Sequence, residues 1–381
     1  MSSRDKDAMT ITGRKVRVLV VEDSKIAAML LEHVIREDGR FDFLGIASSG
    51  EEALGMIPRL SPDVVLMDVH LPGIDGVETT RRIMRIKPTP IVVTSASLNG
   101  SSVNATMDAL QAGALSVIDK PLTTRREEFP RLSKRLCNQL MIMSQVKVVL
   151  QRQRPATDRT PAPVPSSGSA RPLSETVPGQ TRPAGVHAAR HHFRMLGLVA
   201  STGGPQALAK VLGALPKEYP LPVVVVQHIG AEFTEGFAAW LDSQVPMPVR
   251  LARNGETPAP GQVYVAPGGA HLVIAGGMLM LDRAPPLGGQ RPSGTILFQS
   301  MANAYADRAI GVLLTGMGDD GAAGLLEIHR VGGHTIAEDE CTAVVYGMPA
   351  VAVRLGAARL QLPLDAIGLH ILQTTKNSRP S

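Results

Sequence analysis

A long polar stretch in the middle of the chain divides the sequence in two. Residues 151–192 are rich in Pro, Ser, Thr, Gly and Arg, contain almost no large apolar side chains and show no periodicity. Such a segment cannot bury enough apolar surface to offset the entropy lost on ordering it, and its prolines favour a semi-extended spacer. We therefore expect a flexible linker over 146–193, between one domain at 15–145 and a second at 194–375.

The composition is that of a globular protein. Of the 381 residues 44% are hydrophobic and 19% charged, and aromatic residues are only 3%, so aliphatic side chains must build the cores. No apolar run approaches the ~18–20 residues that cross a bilayer. The first residues lack the apolar region of a secretory signal, and Cys137 and Cys341 are too few for a disulfide framework. We expect a cytoplasmic protein without direct membrane insertion.

The net charge of +5 raises the question of nucleic-acid binding. Much of the basic excess, however, comes from arginines dispersed through the polar stretch at 151–192. A dispersed basic linker is a solvated segment rather than a recognition surface. We therefore expect no nucleic-acid partner.

The first half alternates continuous apolar runs with amphipathic stretches. The predicted strands are Val16–Val21, Phe43–Ala47, Val64–Asp68, Pro90–Ser95 and Ser116–Asp119. The predicted helices are Ile26–Asp38, Glu51–Leu60, Gly76–Ile86, Ser102–Ala112 and one with apolar residues from Phe129 to Met143. Apolar strands that alternate with helices indicate a parallel sheet covered on both faces. Five such units predict a flavodoxin-like, doubly wound α/β domain.

The same alternation returns in the second half. The predicted strands are Met195–Ala200, Val223–Gln227, Gln262–Ala266, Gly311–Thr315 and His334–Ala337. The predicted helices are Gln206–Leu215, Phe233–Ser243, Thr295–Tyr305, Gly321–Val331 and Leu364–Thr374. An antiparallel hairpin is expected at His271–Leu281, turned by Gly276 and Gly277. The fold class is therefore α/β, with two doubly wound parallel-sheet domains.

Acidic residues and a lysine follow successive strands of the first half. Glu22 and Asp23 come after the first strand, Asp68 closes the third, Ser95 the fourth, and Lys120 follows the fifth. The carboxyl ends of parallel strands meet at one edge, where such sheets bind ligands. Carboxylates gathered there need a hard cation such as Mg²⁺, and one of them could then attack a phosphoryl group. Taken singly, each residue could instead be a helix cap or a solvated charge.

Residues 15–145 resemble the receiver domain of two-component response regulators. The matching motifs are VVEDS (20–24), LMDVHLPGIDG (66–76), VTSAS (93–97) and DKP (119–121). The resemblance implies that Asp68 accepts the phosphoryl group from a histidine kinase and that Ser95 and Lys120 are switch residues. It also implies Mg²⁺ bound by Asp23 and Asp68, by Glu22 through water and by the backbone carbonyl of His70. His70 and Leu71 replace the acidic or Met residues that are commoner in that loop, and this difference affects which partners the loop would fit.

A serine, a histidine and an aspartate follow three strands of the second half. Ser201 lies in an ASTGGP turn (200–205), His228 follows VVVVQ, and Asp320 lies in the loop after LLTGMGD. A weak alcohol nucleophile needs a base, and that base needs a carboxylate to fix its tautomer. Alternatives remain from the residues alone: the turn could cradle a phosphate, Asp320 could cap a helix, and His271 is a rival base. The G-x-S-x-G elbow of α/β-hydrolases is absent.

Residues 194–375 resemble the catalytic domain of the chemotaxis protein-glutamate methylesterases of the CheB type. The motifs are ASTGGP (200–205), QH (227–228), YVAPGGAH (264–271), RPS (291–293), LLTGMGDDGAAG (313–324) and VVYGMP (344–349). The resemblance makes Ser201 the nucleophile, His228 the base and Asp320 the carboxylate. The backbone amide of Met317 and the turn with Thr202 and Gly203 would form the oxyanion site.

The two resemblances together imply a phosphorylation-activated hydrolase. It would cleave glutamate methyl esters on the cytoplasmic helices of methyl-accepting chemoreceptors and deamidate specific glutamines, with no cofactor for the esterase chemistry. The unphosphorylated receiver would cover the catalytic face, and phosphorylation of Asp68 would release it. Three other classes of protein are the alternatives: a regulator with a nucleic-acid-binding output, a nucleotide- or phosphate-binding module, and a catalytically silent adaptor. The second half lacks a basic reading helix and a P-loop, which disfavours the first two.

Overall fold

The computed structural model describes residues 14–95, 100–120, 129–146, 148 and 193–376. These residues form two α/β units, each built on its own parallel sheet, and a separate two-stranded hairpin. The predicted linker at 146–193 lies, except for residues 146, 148 and 193, outside the described residues. Among the described helices, none combines the length and apolar character needed to span a membrane.

The first unit has five strands in the order β2-β1-β3-β4-β5, all parallel. They are β1 (Val16–Val21), β2 (Phe41–Ala47), β3 (Val64–Asp68), β4 (Ile91–Ser95) and β5 (Ser116–Asp119). The helices are α1 (Lys25–Glu37), α2 (Gly50–Leu60), α3 (Gly76–Ile86), α4 (Gly100–Gln111) and α5 (Phe129–Met143). This strand order is that of flavodoxin-like domains, which confirms the prediction.

Strand β1 shows why the first sheet is covered on both faces. Successive side chains of a strand point to opposite faces. Leu19 and Val21 belong to one apolar core, and Val18 and Val20 to the other. All four are buried, so β1 is an interior strand of the sheet with helices on either side.

The second unit contains a seven-stranded parallel sheet in the order β14-β13-β12-β6-β7-β9-β8. The strands, with the hairpin pair β10 and β11, are β6 (Met195–Ala200), β7 (Val223–Gln227), β8 (Val249–Leu251), β9 (Val263–Val265), β10 (His271–Ala275), β11 (Met278–Asp282), β12 (Ala309–Leu313), β13 (His334–Glu338) and β14 (Leu360–Leu362). The helices are α6 (Gly204–Gly213), α7 (Thr234–Gln244), α8 (Gly294–Tyr305), α9 (Ala322–Arg330), α10 (Met348–Arg354) and α11 (Leu364–Lys376). The predicted fold class is confirmed.

Some elements of the second unit differ from the prediction, either in their bounds or because they were not predicted. The strand predicted at Gly311–Thr315 runs from Ala309 to Leu313, so Thr315 belongs to the loop after it. The short strands β8 and β14 and the helix α10 were not predicted. Each of the two strands has three residues, too few to show a period of two.

The two units are in contact through α4 of the first and α6 and α7 of the second. Gln111 Nε2 donates to Gln244 Oε1 at 3.3 Å, and the Gln206 side chain donates to the carbonyl oxygen of Leu110. These contacts place β5 and α5 of the first unit against the carboxyl edge of the second sheet. That edge carries the predicted serine and histidine.

Candidate functional site

The carboxyl edge of the first sheet brings Glu22, Asp68 and Lys120 together. Lys120 Nζ lies 2.7 Å from Asp68 Oδ2 and 2.7 Å from Glu22 Oε2, and all three side chains are buried. Burial by itself would lower the pKa of Lys120, but hydrogen bonds to Asp68 and Glu22 outweigh it and raise that pKa. Burial raises the pKa of Glu22, against the opposing effect of Lys120. The lysine is therefore the internal counterion of this acidic cup.

Asp23 completes the acidic cluster. Each carboxylate of Glu22, Asp23 and Asp68 offers an oxygen within 4.8 Å of the others, and Asp23 is the exposed member. The N–H of His70 donates to Asp68 Oδ1 at 3.2 Å, which places the loop after β3 beside the cup. Strand β4 ends at Ser95, whose side chain lies outside the described residues. Hard oxygen ligands with one open side suit Mg²⁺, so these residues fit the ion.

Ser201 begins the turn between β6 and α6. Its N–H donates to the carbonyl oxygen of Thr315 at 3.0 Å, and its own carbonyl accepts from Gly204 at 2.9 Å. Gly203 is the N-cap of α6 with φ of +75°, and a Cβ there would lie 2.6 Å from Val344 Cβ. The turn therefore requires glycine, and it holds Ser201 between the sheet edge and a helix N-terminus.

His228 follows β7 directly and contacts Asp320. The imidazole Nε2 lies 2.8 Å from Asp320 Oδ2, and the two side chains are only 7% and 9% exposed. The other ring nitrogen, Nδ1, is buried and has no hydrogen-bond partner among the described residues. Because a carboxylate only accepts, Nε2 carries the proton of the neutral ring and Nδ1 keeps its lone pair. Nδ1 is therefore the nitrogen available as a base.

Asp320 is held by the first turn of α8. Its Oδ1 accepts from Ser293 Oγ at 2.7 Å and from the N–H of Thr295 at 3.1 Å, and its Oδ2 accepts from the N–H of Gly294 at 2.6 Å. Burial alone would raise the pKa of Asp320, but His228, Ser293 and Gly294 together bring it well below the ordinary value. The sequence left open that Asp320 caps its own helix, whereas the N-cap of α9 is the next residue.

His271, the rival base, is fully committed to structural contacts. Its ring is 0% exposed. Nδ1 accepts from the N–H of Ser293 at 3.1 Å, and Nε2 donates to the carbonyl oxygen of Pro285 at 3.2 Å. Both nitrogens are occupied, so His271 is not available to take a proton from a substrate or a nucleophile.

Unpaired backbone amides lie close to Ser201. In the described part of the chain, the N–H groups of Thr202, Gly203 and Met317 have no hydrogen-bond partner. Thr202 and Gly203 follow the serine at the N-terminus of α6, and Met317 belongs to the loop that contacts it. Free amides and a helix N-terminus are groups that stabilise a developing oxyanion.

A cavity of about 580 Å³ contains Ser201 and His228. One wall comes from the second unit, including Thr202, Gly203, Gln227 and Met317. The opposite wall comes from the first unit and consists of β5 residues 116–118 and several α5 side chains, among them Arg131, Lys134 and Arg135. The first unit therefore covers the edge of the second sheet that carries the serine and the histidine.

Sequence reasoning missed three side chains that hold this edge together. Gln227 Nε2 donates to the carbonyl oxygens of Ser201 at 2.7 Å and of His228 at 3.1 Å. Ser293 was visible only as the last letter of the RPS motif, and Glu338 as an acidic residue that ends an apolar run. A polar residue that closes a buried strand was the available signal for Gln227 and Glu338.

Comparisons with known proteins identify a family for each of the two units. Residues 196–371 match the family model described as CheB methylesterase, and residues 18–128 match the response regulator receiver domain. A protein-glutamate methylesterase/protein-glutamine glutaminase of Paramagnetospirillum magneticum is 43% identical over 362 residues, covering 94% of this chain and 97% of the relative. One from Myxococcus xanthus is 42% identical over 364 residues, covering 95% and 98%.

A solved structure resembles the second half. The crystal structure of the Thermotoga maritima CheB methylesterase catalytic domain aligns with a TM-score of 0.46 at 37% identity, covering 48% of this chain and 98% of that one. The sequence relatives match this chain over nearly its whole length and show its family. The chain therefore belongs to the family of CheB methylesterases that carry a response regulator receiver domain.

Proposed function

We propose that this chain is a phosphorylation-controlled, cytoplasmic hydrolase. It removes methyl groups from glutamate methyl esters of methyl-accepting chemoreceptors and deamidates specific receptor glutamines. The relatives named protein-glutamate methylesterase/protein-glutamine glutaminase support this activity. The single observation that carries it is a histidine base, oriented by a buried aspartate, in one cavity with Ser201. Residues 15–145 are the receiver, 146–193 the linker and 194–375 the catalytic domain.

The first half of the reaction forms an acyl-enzyme. Ser201 Oγ attacks the ester carbonyl carbon while His228 Nδ1 takes the hydroxyl proton, and the carbonyl π electrons move onto oxygen. The imidazolium formed is stabilised by Asp320 at its Nε2 side. The oxyanion is stabilised by the free amides of Thr202, Gly203 and Met317. The C–O bond to methoxide then breaks, His228 returns the proton and methanol leaves.

The second half releases the glutamate side chain. Water attacks the acyl carbonyl, His228 Nδ1 takes its proton, and the bond to Ser201 breaks with return of that proton to Oγ. The product is a glutamate carboxylate on the receptor. A glutamine side chain follows the same course, with ammonia in place of methanol, because ester and amide share a tetrahedral intermediate.

The receiver supplies the control. Asp68 is the proposed phosphoacceptor, with a chemotaxis histidine kinase as donor, and Glu22, Asp23 and the His70 carbonyl are the other protein groups toward Mg²⁺. When bound, Mg²⁺ neutralises charge on the transferred phosphoryl oxygens. Lys120, already on Asp68 Oδ2, is placed to hold the phosphate. Ser95, at the end of β4, is the second switch residue.

A short physical path joins the phosphorylation site to the covered cavity. Lys120 comes directly after β5, and residues 116–118 of β5 line the cavity that contains Ser201. A phosphate on Asp68 competes for the lysine that now bridges two carboxylates. Movement of Lys120 therefore acts on the strand that forms part of the covering wall. This supports release of the catalytic edge on phosphorylation.

The experiment that tests the activity is methanol release from radiolabelled, methylated receptor membranes. We expect release by the wild type that rises with a small-molecule phosphodonor and Mg²⁺, is lost in Ser201→Ala, and loses its stimulation in Asp68→Asn. Ser243→Ala, at an exposed serine of α7, is the matched control and should behave as wild type. Release that persists in Ser201→Ala would contradict the nucleophile, and no release from any receptor would favour a silent adaptor.

A cross-link between the units tests the control separately. Gln111→Cys with Gln244→Cys, in a Cys341→Ser background, places two thiols at a contact between the units. A short, cleavable bifunctional thiol reagent should then abolish phosphodonor stimulation, and cleavage should restore it. The single variant Gln111→Cys, treated alike, should remain stimulated. Full stimulation of the cross-linked protein would reject the covering mechanism while leaving the esterase intact.

A further inference from the structure

Glu338 is a buried carboxyl that the mechanism above does not use. It ends β13 at the carboxyl edge of the second sheet and is 0% exposed. Its Oε2 accepts from the N–H of Thr315 at 2.8 Å. Thr315 lies in the loop that runs from β12 to Asp320. The Glu338 carboxyl, at the end of β13, therefore binds the loop that follows the neighbouring strand β12.

Thr315 connects Glu338 to the nucleophile. The Thr315 carbonyl oxygen accepts from the N–H of Ser201 at 3.0 Å, and its Oγ1 donates to the carbonyl oxygen of Thr202 at 2.9 Å. The same Oγ1 accepts from the N–H of Val345 at 2.9 Å. One threonine thus ties together the serine turn, the loop at 339–347 and the buried carboxyl.

The contacts of Thr342 indicate how many protons its two neighbouring carboxyl groups hold. Its Oγ1 lies 3.1 Å from Glu338 Oε1 and 3.0 Å from Asp339 Oδ1, and it accepts from the N–H of Leu364 at 3.0 Å. A threonine hydroxyl has one proton, which serves only one of two carboxylates. The second hydroxyl–carboxyl hydrogen bond therefore needs a proton that belongs to one of the two acids.

Glu338 is the acid that carries this proton. It is fully buried, whereas Asp339 is half-buried and also accepts from the N–H of Thr342 at 3.1 Å. Burial raises the pKa of Glu338 to about 7, against the smaller lowering effects of its bonds to Thr315 and Thr342.

The charged groups around Glu338 do not change this assignment. Asp339 raises the pKa of Glu338 further, and Lys210 of α6 lowers it slightly. Lys210 is itself paired with Asp365 of α11, so its charge is already shared.

We infer that Glu338 is a positioning residue for the catalytic turn. As a neutral acid it donates from Oε1 to Thr342, accepts at Oε2 from Thr315, and so holds the 339–347 loop and the Ser201 turn in register. When Glu338 loses its proton, two carboxylates compete for the single hydroxyl proton of Thr342. The contact between the 339–347 loop and the Ser201 turn is then weakened. Catalysis therefore falls as the pH rises through the titration of Glu338. This inference rests on the proposed function, because the residue that it positions is the proposed nucleophile.

Glu338→Gln is the decisive variant, because its amide reproduces the neutral acid. The NH₂ group donates to Thr342, the amide oxygen accepts from Thr315, and nothing titrates. The wild type should lose kcat, with KM unchanged, as the pH rises through about 7, and Glu338→Gln should lack that decline. Glu340→Gln, at an exposed neighbour, should keep the wild-type profile. A Glu338→Gln profile identical to that of the wild type would overturn the inference.

An infrared measurement tests whether Glu338 is protonated, and it needs no substrate. The full-length wild type should show the carbonyl band of a neutral carboxyl at pH 6, which disappears as the pH rises through about 7. The band should be absent in Glu338→Gln and present in Glu340→Gln. Its absence from the wild type would overturn the inference. If no receptor yields methanol, the proposed function fails, while this band still decides whether Glu338 holds the proton.

Discussion

The strongest test of the catalytic arrangement is Asp320→Asn. Each oxygen of Asp320 accepts two hydrogen bonds, from Ser293 and Thr295 at Oδ1 and from His228 and Gly294 at Oδ2. In either orientation the asparagine NH₂ faces a backbone N–H. The orientation with NH₂ at the Oδ1 position costs less, because the Ser293 hydroxyl can turn and accept. That orientation keeps the His228 tautomer but removes the negative charge.

The size of the effect follows from the distance between the charges. Imidazolium and carboxylate at 2.8 Å interact with about 6 kcal/mol at an effective dielectric constant of 20, which is an upper limit. At about 1.36 kcal/mol per tenfold, this upper limit corresponds to somewhat more than about 10⁴-fold, so we expect a loss in kcat of about 10³- to 10⁴-fold. An aspartate-to-asparagine change in a serine-protease triad has an effect of about the same size. The asparagine NH₂ group faces a backbone N–H and cannot accept from it, which should also lower the free energy of unfolding by about 1–3 kcal/mol.

The assay compares methanol release and urea unfolding for wild type, Asp320→Asn and Asp319→Asn. Asp319 is the exposed preceding residue, so its variant removes the same charge from nearly the same place without touching the histidine. We expect Asp319→Asn to retain nearly wild-type kcat and stability. An Asp320→Asn protein whose kcat stays within a factor of about ten of wild type would refute the reasoning.

Three further substitutions test other parts of the molecule. Lys120→Met leaves two buried carboxylates without their cation, so the free energy of unfolding should fall by about 3–5 kcal/mol in urea, and phosphodonor stimulation should vanish. Gly316→Ala places a Cβ 2.7 Å from Ser201 Cβ, and a displaced nucleophile should lower kcat about 10²-fold in the release assay. Gly213→Ala meets nothing within 4 Å, so urea unfolding should show a gain of about 0.4–1 kcal/mol with unchanged kcat. A Gly316→Ala enzyme as active as Gly213→Ala would contradict the close packing at the serine turn.

The parallel sheets could be predicted because buried strands leave a strong mark on the sequence. Runs such as 64–67 and 223–226 are buried on both faces and therefore continuously apolar. The edge strand Leu360–Leu362 is only partly buried and has three residues, so it leaves no comparable mark. The resemblance implied that the first unit covers the second, but the side chains that make the contact, such as Gln111, could not be predicted.

The site was predictable as far as it depends on strand ends. A parallel sheet brings its carboxyl ends together, so Ser201, His228 and the loop to Asp320 had to arrive at one edge. Which ring nitrogen faces Asp320 depends on side-chain rotation, and no residue pattern encodes it. The capping of α8 by Asp320 was also hidden, because it joins elements distant in the chain. Glu338 was missed although, like Asp68, it is an acid that closes an apolar strand.

The wall that covers the serine belongs to the same chain as the serine. Covering and uncovering are therefore unimolecular, with an equilibrium constant that does not contain the concentration of the enzyme. A cell that makes more of this protein, or dilutes it by growth, changes the number of catalytic sites but not the fraction that is covered. An inhibitor supplied as a separate protein would lose that constancy. In the proposed mechanism, the phosphorylation state of Asp68 then sets the fraction that is covered.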